Sequence, residues 1–313
     1  MMAKNETTPA ATGHFVAPAA LIGFGEAARA FVSGWAASGM DVAGITAFDI
    51  KTDNPASAVA GAKRDDYDNA GIRGTQAIAE ALNGAPAVFS LVTADQAFTA
   101  AEQAAAVIGS NAFYFDCNSC SPDTKRRSAK IIEAAGGRYV DTAVLAPVHP
   151  ALHRTPLLLS GPHADDGAAL LTTWDMIVDV IAGGVGKASA VKMIRSVMVK
   201  GLEALVLECV LAARTAGIDQ EVMESLEKTY PGFDWHGRAA YMMERVTTHG
   251  IRRAAEMRES AKTVRELGLS GAMTDGTVVW QQAIGDLHLP SGDNDYRHRG
   301  DAILAALAET GGK

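Results

Sequence analysis

Between about residues 18 and 185, short apolar runs alternate with stretches of helical period. ALIGF leads into EAARAFVSGWAAS, VAGITAFDI stands next, AVFSLV leads into ADQAFTAAEQAAAVI, FYFD into PDTKRRSAKIIEAA, and RYVDTAVL is followed by LLLSG. Apolar runs of about four to eight residues predict strands buried on both faces, and the amphipathic stretches between them predict the covering helices. The implied architecture is a doubly wound α/β domain on a parallel sheet. Ser121 and Pro122 supply an N-cap and a first-turn proline for the helix that closes near Gly136-Gly137.

After about residue 186 the strand-like runs stop. KASAVKMIRSVMVKGLEALVLECVLAARTAG carries Val191, Ile194, Met198, Leu202, Leu205 and Cys209 at three- and four-residue steps and closes on Gly217, a good residue for a left-handed helix end. Helical patterns continue in EVMESLEKT, around RAAYMMERVTTHGIRRAAEMRESAKTVRELG, in TVVWQQAIG and in DAILAALAET. The expected organisation is a disordered polar leader at 1–14, an α/β domain at 15–185 and an all-α domain at 186–313. No Pro/Ser-rich linker separates the last two, so a rigid junction with a cleft is expected.

Composition narrows the partners. The 313 residues hold 28 Lys and Arg against 36 Asp and Glu, a formal net charge of −8 that offers no basic field for a phosphate backbone. A small molecule is the expected partner, not nucleic acid. No apolar stretch reaches the roughly 18 residues of a membrane span. The run Phe15 to Phe24 has the length of a signal-peptide core, but Pro18, Gly23 and the following Glu26 argue against it. Of three cysteines, Cys117 and Cys120 form a C-x-x-C without a second one, so neither zinc nor a disulfide framework is expected, and a reducing cytoplasm fits best. His149 and His153 are separated by Pro150, which spoils a helical ligand pair, and a surface loop is expected there with no metal.

Gly23-Phe24-Gly25-Glu26-Ala27-Ala28 places G-x-G-x-x-A between the first strand and the first helix, where glycines let the backbone approach a pyrophosphate resting on the helix N-terminus. The second strand ends in Asp49, at about the distance where an acid meets the adenosine ribose in a Rossmann-type domain. The alternative is a glycine turn with an unrelated surface Asp. With Gly23, Phe24, Gly25, Glu26, Ala27 and Asp49, Val92 and Thr93 complete the expected cofactor set. Asp49 repels a 2′-phosphate and Ile50 offers it no guanidinium, which favours NAD, while Lys51 keeps NADP open. Lys192, in the first turns of the long helix, is a candidate general base if its surroundings lower its pKa, the alternative being a solvated helix lysine. Lys200 and Arg195 fit the same pattern.

The glycine motif, Asp116-Cys117-Asn118-Ser119-Cys120-Ser121-Pro122, Asp141-Thr142-Ala143-Val144 and Gly186-x5-Lys192, in that order, resemble the β-hydroxyacid dehydrogenase family, relatives of 6-phosphogluconate and 3-hydroxyisobutyrate dehydrogenases, from about residue 18 to the end. Lys192 to Ser196, Lys200-Gly201 and His249-Gly250-x-Arg252-Arg253-x-x-Glu256-Met257 are similar to a subgroup with a poorly characterised C-terminal helical domain. The resemblance implies hydride transfer between a hydroxyacid-type carbon and a nicotinamide. It matches Lys192 to the family's catalytic lysine, and Ser119 to the Ser/Thr of a D-x-S-T-x-S-P loop beside nicotinamide and substrate.

Departures bear on the substrate. Leu145 stands where the family has a carboxylate-holding serine, Arg195 and Ser196 replace two asparagines, and Ala255-Glu256 replaces a Lys-Asp pair. Arg195, one turn from Lys192, offers a two-pronged donor to a carboxylate and would depress the lysine's pKa, or else pairs with a nearby acid. Ser196, His249, Arg252 and Arg253 complete the expected substrate set, with His249 titrating near neutral pH, one arginine meeting substrate and the other pairing with Glu256. The reading is an NAD-dependent dehydrogenase. An imine reductase of the same superfamily and a non-catalytic NAD-binding sensor are the alternatives, and the apolar helical half points to a homodimer.

Overall fold

The computed structural model describes residues 18–53 and 57–310. The expected leader at 1–14, and the start of the run from Phe15, lie outside the described residues. Two compact units are present. One takes the chain up to Val92 with Phe98–Cys117 and Ser128–Gly183; the other takes Thr93–Ala97, Asn118–Arg127 and the chain from Gly184 onward.

The first unit is built on eight strands, β1 (Ala19–Ile22), β2 (Thr46–Phe48), β3 (Arg73–Thr75), β4 (Ala87–Ser90), β5 (Phe113–Asp116), β6 (Arg138–Val144), β7 (Leu157–Ser160) and β8 (Val178–Val180). Their order across the sheet is β3-β2-β1-β4-β5-β6-β7-β8. Helices α1 (Glu26–Ala37), α2 (Ala58–Ala70), α3 (Ile78–Leu82), α4 (Ala97–Ala105), α5 (Pro122–Ala134) and α6 (Ala164–Thr173) alternate with them. β1, β4 and β5 are buried throughout, as four-residue apolar runs demand. α1 buries Ala28, Phe31, Val32 and Trp35 at three- and four-residue steps, and Trp35 meets Trp174 edge-on at 5.7 Å and Phe89 at 5.6 Å in the core.

The chain runs β1, β2, β3 towards one edge and then returns to place β4 beside β1. This reversal is the point where open α/β sheets bind ligands beyond the carboxyl ends of their strands. The sheet is not wholly parallel. β6 and β7 pair antiparallel, because the segment between them holds one 3-10 turn, Leu152–Arg154, and lacks the crossover helix that a parallel return normally uses. β3 and β8 escape an apolar pattern because they are short edge strands with exposed side chains. His153 also departs from the expected surface loop: it is 5% exposed and packs on Gly34 of α1.

The second unit is helical from Gly184 onward, with α7 (Lys187–Ala216), α8 (Asp219–Thr229), α9 (Trp235–Glu266), α10 (Ala272–Gly285) and α11 (Tyr296–Glu309). α7 ends on Gly217 in the left-handed conformation, φ 71°. Its core is formed by Leu207, Val210, Met243, Val246, Ile284 and Ile303. The stripe of Val191, Ile194, Met198 and Leu205 lies on the exposed side of α7, with Met198 72% exposed. The opposite face is buried and partly polar, because Ser196, Lys200 and Glu203 find their partners within the unit. No helix among the described residues is long and apolar enough to cross a membrane.

Candidate active site

In the first unit, the turn after β1 requires glycine at one position. Gly23 has φ 86°, and a Cβ there would stand 2.6 Å from the Leu91 carbonyl oxygen and 2.9 Å from Val92 Cγ1. Gly25 caps α1 without a side-chain bond, and a Cβ on it would meet nothing within 4 Å. That open space above a helix N-terminus fits a dinucleotide pyrophosphate. Glu26 is exposed and Ala27 half-buried beside it, while Phe24 turns inward onto Tyr67 at 5.1 Å. Asp49 fastens the turn: its Oδ2 accepts the Phe24 N–H at 2.9 Å and its Oδ1 accepts the Lys51 N–H at 3.0 Å. Buried Lys63 adds a bond that the sequence did not signal, donating to the Phe24 carbonyl and to Asp66 Oδ2, each at 2.7 Å. Val92 is half-buried and Thr93 exposed.

In the second unit, α7 carries Lys192 on a partly buried face, and its Nζ donates to Ser119 Oγ at 2.5 Å. The two residues are 73 positions apart, so folding and not local sequence makes this pair. One and two turns further along α7, Ser196 and Lys200 are buried, with Lys200 Nζ bonded to Ser196 Oγ at 3.2 Å and to Glu256 Oε2 of α9 at 2.9 Å. Arg252 Nη1 reaches Glu256 Oε1 at 3.0 Å. Burial pushes the Glu256 carboxyl up, but Lys200, Arg252 and Lys192 outweigh it and hold it at about 2. Glu256 is therefore a fixed anion among cations.

One of the expected substrate residues has a different partner. Arg253 is buried, and its guanidinium grips both oxygens of Glu203, with Nε to Oε2 at 3.0 Å, because a buried cation needs a buried counter-charge. Burial, Arg245 and Arg252 push His249 below the usual histidine range. Arg195 is exposed on α7, and Arg252 pairs with Glu256 as expected. The Ser119 loop is tied to α9. Ser121 N donates to Glu259 Oε2 at 2.8 Å, Ser121 Oγ to Glu266 Oε1 at 2.9 Å, and Lys262 Nζ to Thr124 Oγ1 at 2.9 Å. These ties were missed in the sequence, whose one signal is the recurrence of acids at 256, 259 and 266 along one side of a helix. Cys117 and Cys120 are buried thiols and form no disulfide. Among the described residues, no three His, Cys, Asp or Glu side chains gather as a metal site.

Residues 19–171 match the profile of the NAD binding domain of 6-phosphogluconate dehydrogenase, and residues 213–284 match a domain of unknown function, DUF1932. Lys192 lies between the two matched stretches. A solved conserved hypothetical protein from Sinorhizobium meliloti is 33% identical, with 92% of this chain and 96% of that one covered and a TM-score of 0.73. A conserved protein of unknown function, described as similar to 3-hydroxyacid dehydrogenases, is 26% identical over 90% of this chain and 98% of its own, with a TM-score of 0.68. A 3-hydroxyisobutyrate dehydrogenase of Mycobacterium tuberculosis shares the fold, at 14% identity, 92% and 99% coverage and a TM-score of 0.70. An uncharacterised 28.5 kDa protein of Methanothermus fervidus is 33% identical over 116 residues, 37% of this chain and 44% of that protein. The chain belongs to the 6-phosphogluconate dehydrogenase-like NAD-binding family, in the group whose C-terminal domain is DUF1932.

Proposed function

We propose that this protein interconverts a carboxylate-bearing alcohol and its carbonyl form with a nicotinamide dinucleotide, Lys192 serving as the acid/base. The observation that carries this reading is the 2.5 Å bond from Lys192 Nζ to Ser119 Oγ. In oxidation the neutral Lys192 amine takes the proton of the substrate hydroxyl, and in reduction the ammonium returns it to the carbonyl oxygen. Ser119, bonded to Nζ, fixes the direction of the amine and offers a second hydrogen bond to the same oxygen. Gly23, Gly25, the start of α1 and Asp49 would hold a dinucleotide, which would supply hydride acceptance and donation. Asp49 and Ile50 favour NAD over NADP, as a carboxylate repels a 2′-phosphate. Around Glu256 the cations Lys192, Lys200 and Arg252 outnumber the one carboxylate, which suits an anionic substrate.

Replacing Lys192 with Met tests the assignment. Turnover on a panel of hydroxyacids is expected to fall by roughly 10²–10⁴ or more, the usual share of a positioned acid/base, while NAD binding measured by calorimetry stays within twofold. Near-normal turnover of the variant would sink the assignment. Reduction of cyclic imines by a wild-type protein inert to every hydroxyacid would replace the alcohol with C=N chemistry.

A further inference from the structure

The Ser119 loop is seated by α9, the helix that also carries Arg252 and Glu256. α9 sends three side chains to it: Glu259 to the backbone of Ser121, Glu266 to the Ser121 hydroxyl, and Lys262 to Thr124. Ser121 is fully buried. As the residue ahead of α5, its hydroxyl would ordinarily cap the Thr124 N–H, but that bond is long at 3.4 Å, and the hydroxyl lies closer to Glu266. Glu259 and Glu266 are seven residues apart, about 10.5 Å along the helix axis at 1.5 Å per residue. Both nevertheless reach the same residue, so their side chains converge on Ser121 from two directions and leave it one register on α9.

We infer that Glu259 and Glu266 are positioning residues that hold Ser121, and through it Ser119 two residues earlier, within hydrogen-bond reach of Lys192. This rests on the reading of Lys192 and Ser119 given above. A bond from a backbone N–H to a carboxylate is charge-assisted and about twice as strong as a neutral one. It also acts on the main chain, so it fixes the path of the loop and not only one side chain. Cys120 N bonds back to the Asn118 carbonyl at 3.0 Å, and this tight turn passes the position of Ser121 to Ser119. A misplacement of about 1 Å at such a pair is enough to cost on the order of 10²-fold in rate.

Glu259→Ala removes the acceptor, whereas Glu259→Gln keeps an amide oxygen for the Ser121 N–H. In turnover, Glu259→Ala is expected to lower kcat roughly 10- to 100-fold with KM and NAD affinity little changed, and Glu259→Gln to restore most of it. A second readout needs no substrate: the rate at which the Lys192 amine is reductively methylated, followed by mass spectrometry across pH. Glu259→Ala is expected to change that rate as Ser119→Ala does, and the double variant to change it no further, since both act on one bond. Additive effects in the double variant, or a Glu259→Gln protein as impaired as Glu259→Ala, would overturn the proposal. Loss of turnover without any change in amine labelling would also overturn it. A wild-type protein with no hydroxyacid activity but a coupled labelling pattern would refute the dehydrogenase reading and leave the positioning intact.

Discussion

At the scale of single residues, two buried titratable groups pull in different ways. Glu256 keeps its charge because three cations surround it, and its stabilising effect is full above the ordinary glutamate range and lost only as pH falls towards about 2. His153 has the opposite environment. Burial pushes it below the usual histidine range and outweighs Asp175, whose Oδ2 lies 3.6 Å from Nε2. Neutral in the folded chain, it takes up a proton more readily when unfolded, so stability is full above about pH 6.5 and falls as pH drops below that value. The urea midpoint of the wild type is expected to drop more between pH 7.5 and pH 5.5 than that of His153→Gln. Equal drops in the two proteins would show that His153 does not carry the effect. The comparison also isolates His153 from His249, which burial lowers in the same direction in both proteins.

At the scale of elements, α9 and α10 meet through glycine. A Cβ on Gly250 would stand 2.4 Å from the Gln281 carbonyl oxygen and 2.7 Å from Gly285 Cα, and one on Gly285 would stand 2.5 Å from Ile251 N. The two backbones touch where side chains would hold them apart. Gly250→Ala is therefore expected to destabilise the protein by about 1–3 kcal/mol, the range for overpacking a close interface, read as a lower urea midpoint with an unchanged slope. A midpoint equal to wild type would mean the helices separate without cost. The same principle explains what the sequence could carry. Gly23 and the N-cap at Ser121 were legible because local backbone chemistry dictates them. The apolar runs of β1, β4 and β5 were legible because both their faces are buried. β3 and β8 were not, since edge strands need no apolar period. Nor were the pairs Arg253 with Glu203 and Ser121 with Glu259, because separations of 50 and 138 residues leave no periodic trace. Helical period alone likewise does not tell which side of α7 is buried, since Lys200 and Glu203 are hidden by ion pairs that pattern reads as surface.

At the scale of the whole molecule, that reversal on α7 becomes an argument about assembly. Val191, Ile194, Met198 and Leu205 recur at steps of three, four and seven, so they line one side of the helix over about 21 Å at 1.5 Å per residue. All four are exposed. A continuous apolar stripe of this length on one helix marks an interaction surface more often than a solvated one. A second copy of the chain is the occupant we propose, because a straight stripe at heptad-like steps can pack against its own symmetry mate, and a two-fold contact closes without leaving apolar surface to grow a fibre. Light scattering is expected to give twice the chain mass for the wild type and the single-chain mass for Met198→Glu combined with Leu205→Glu, since each carboxylate would be desolvated against an apolar partner. A wild type of single-chain mass, or a double variant that still dimerises, would place the interface elsewhere or remove it. The denaturation midpoint of the variant, measured at a concentration where the wild type is dissociated, separates loss of association from loss of fold, because both substituted side chains face away from the core of their own unit.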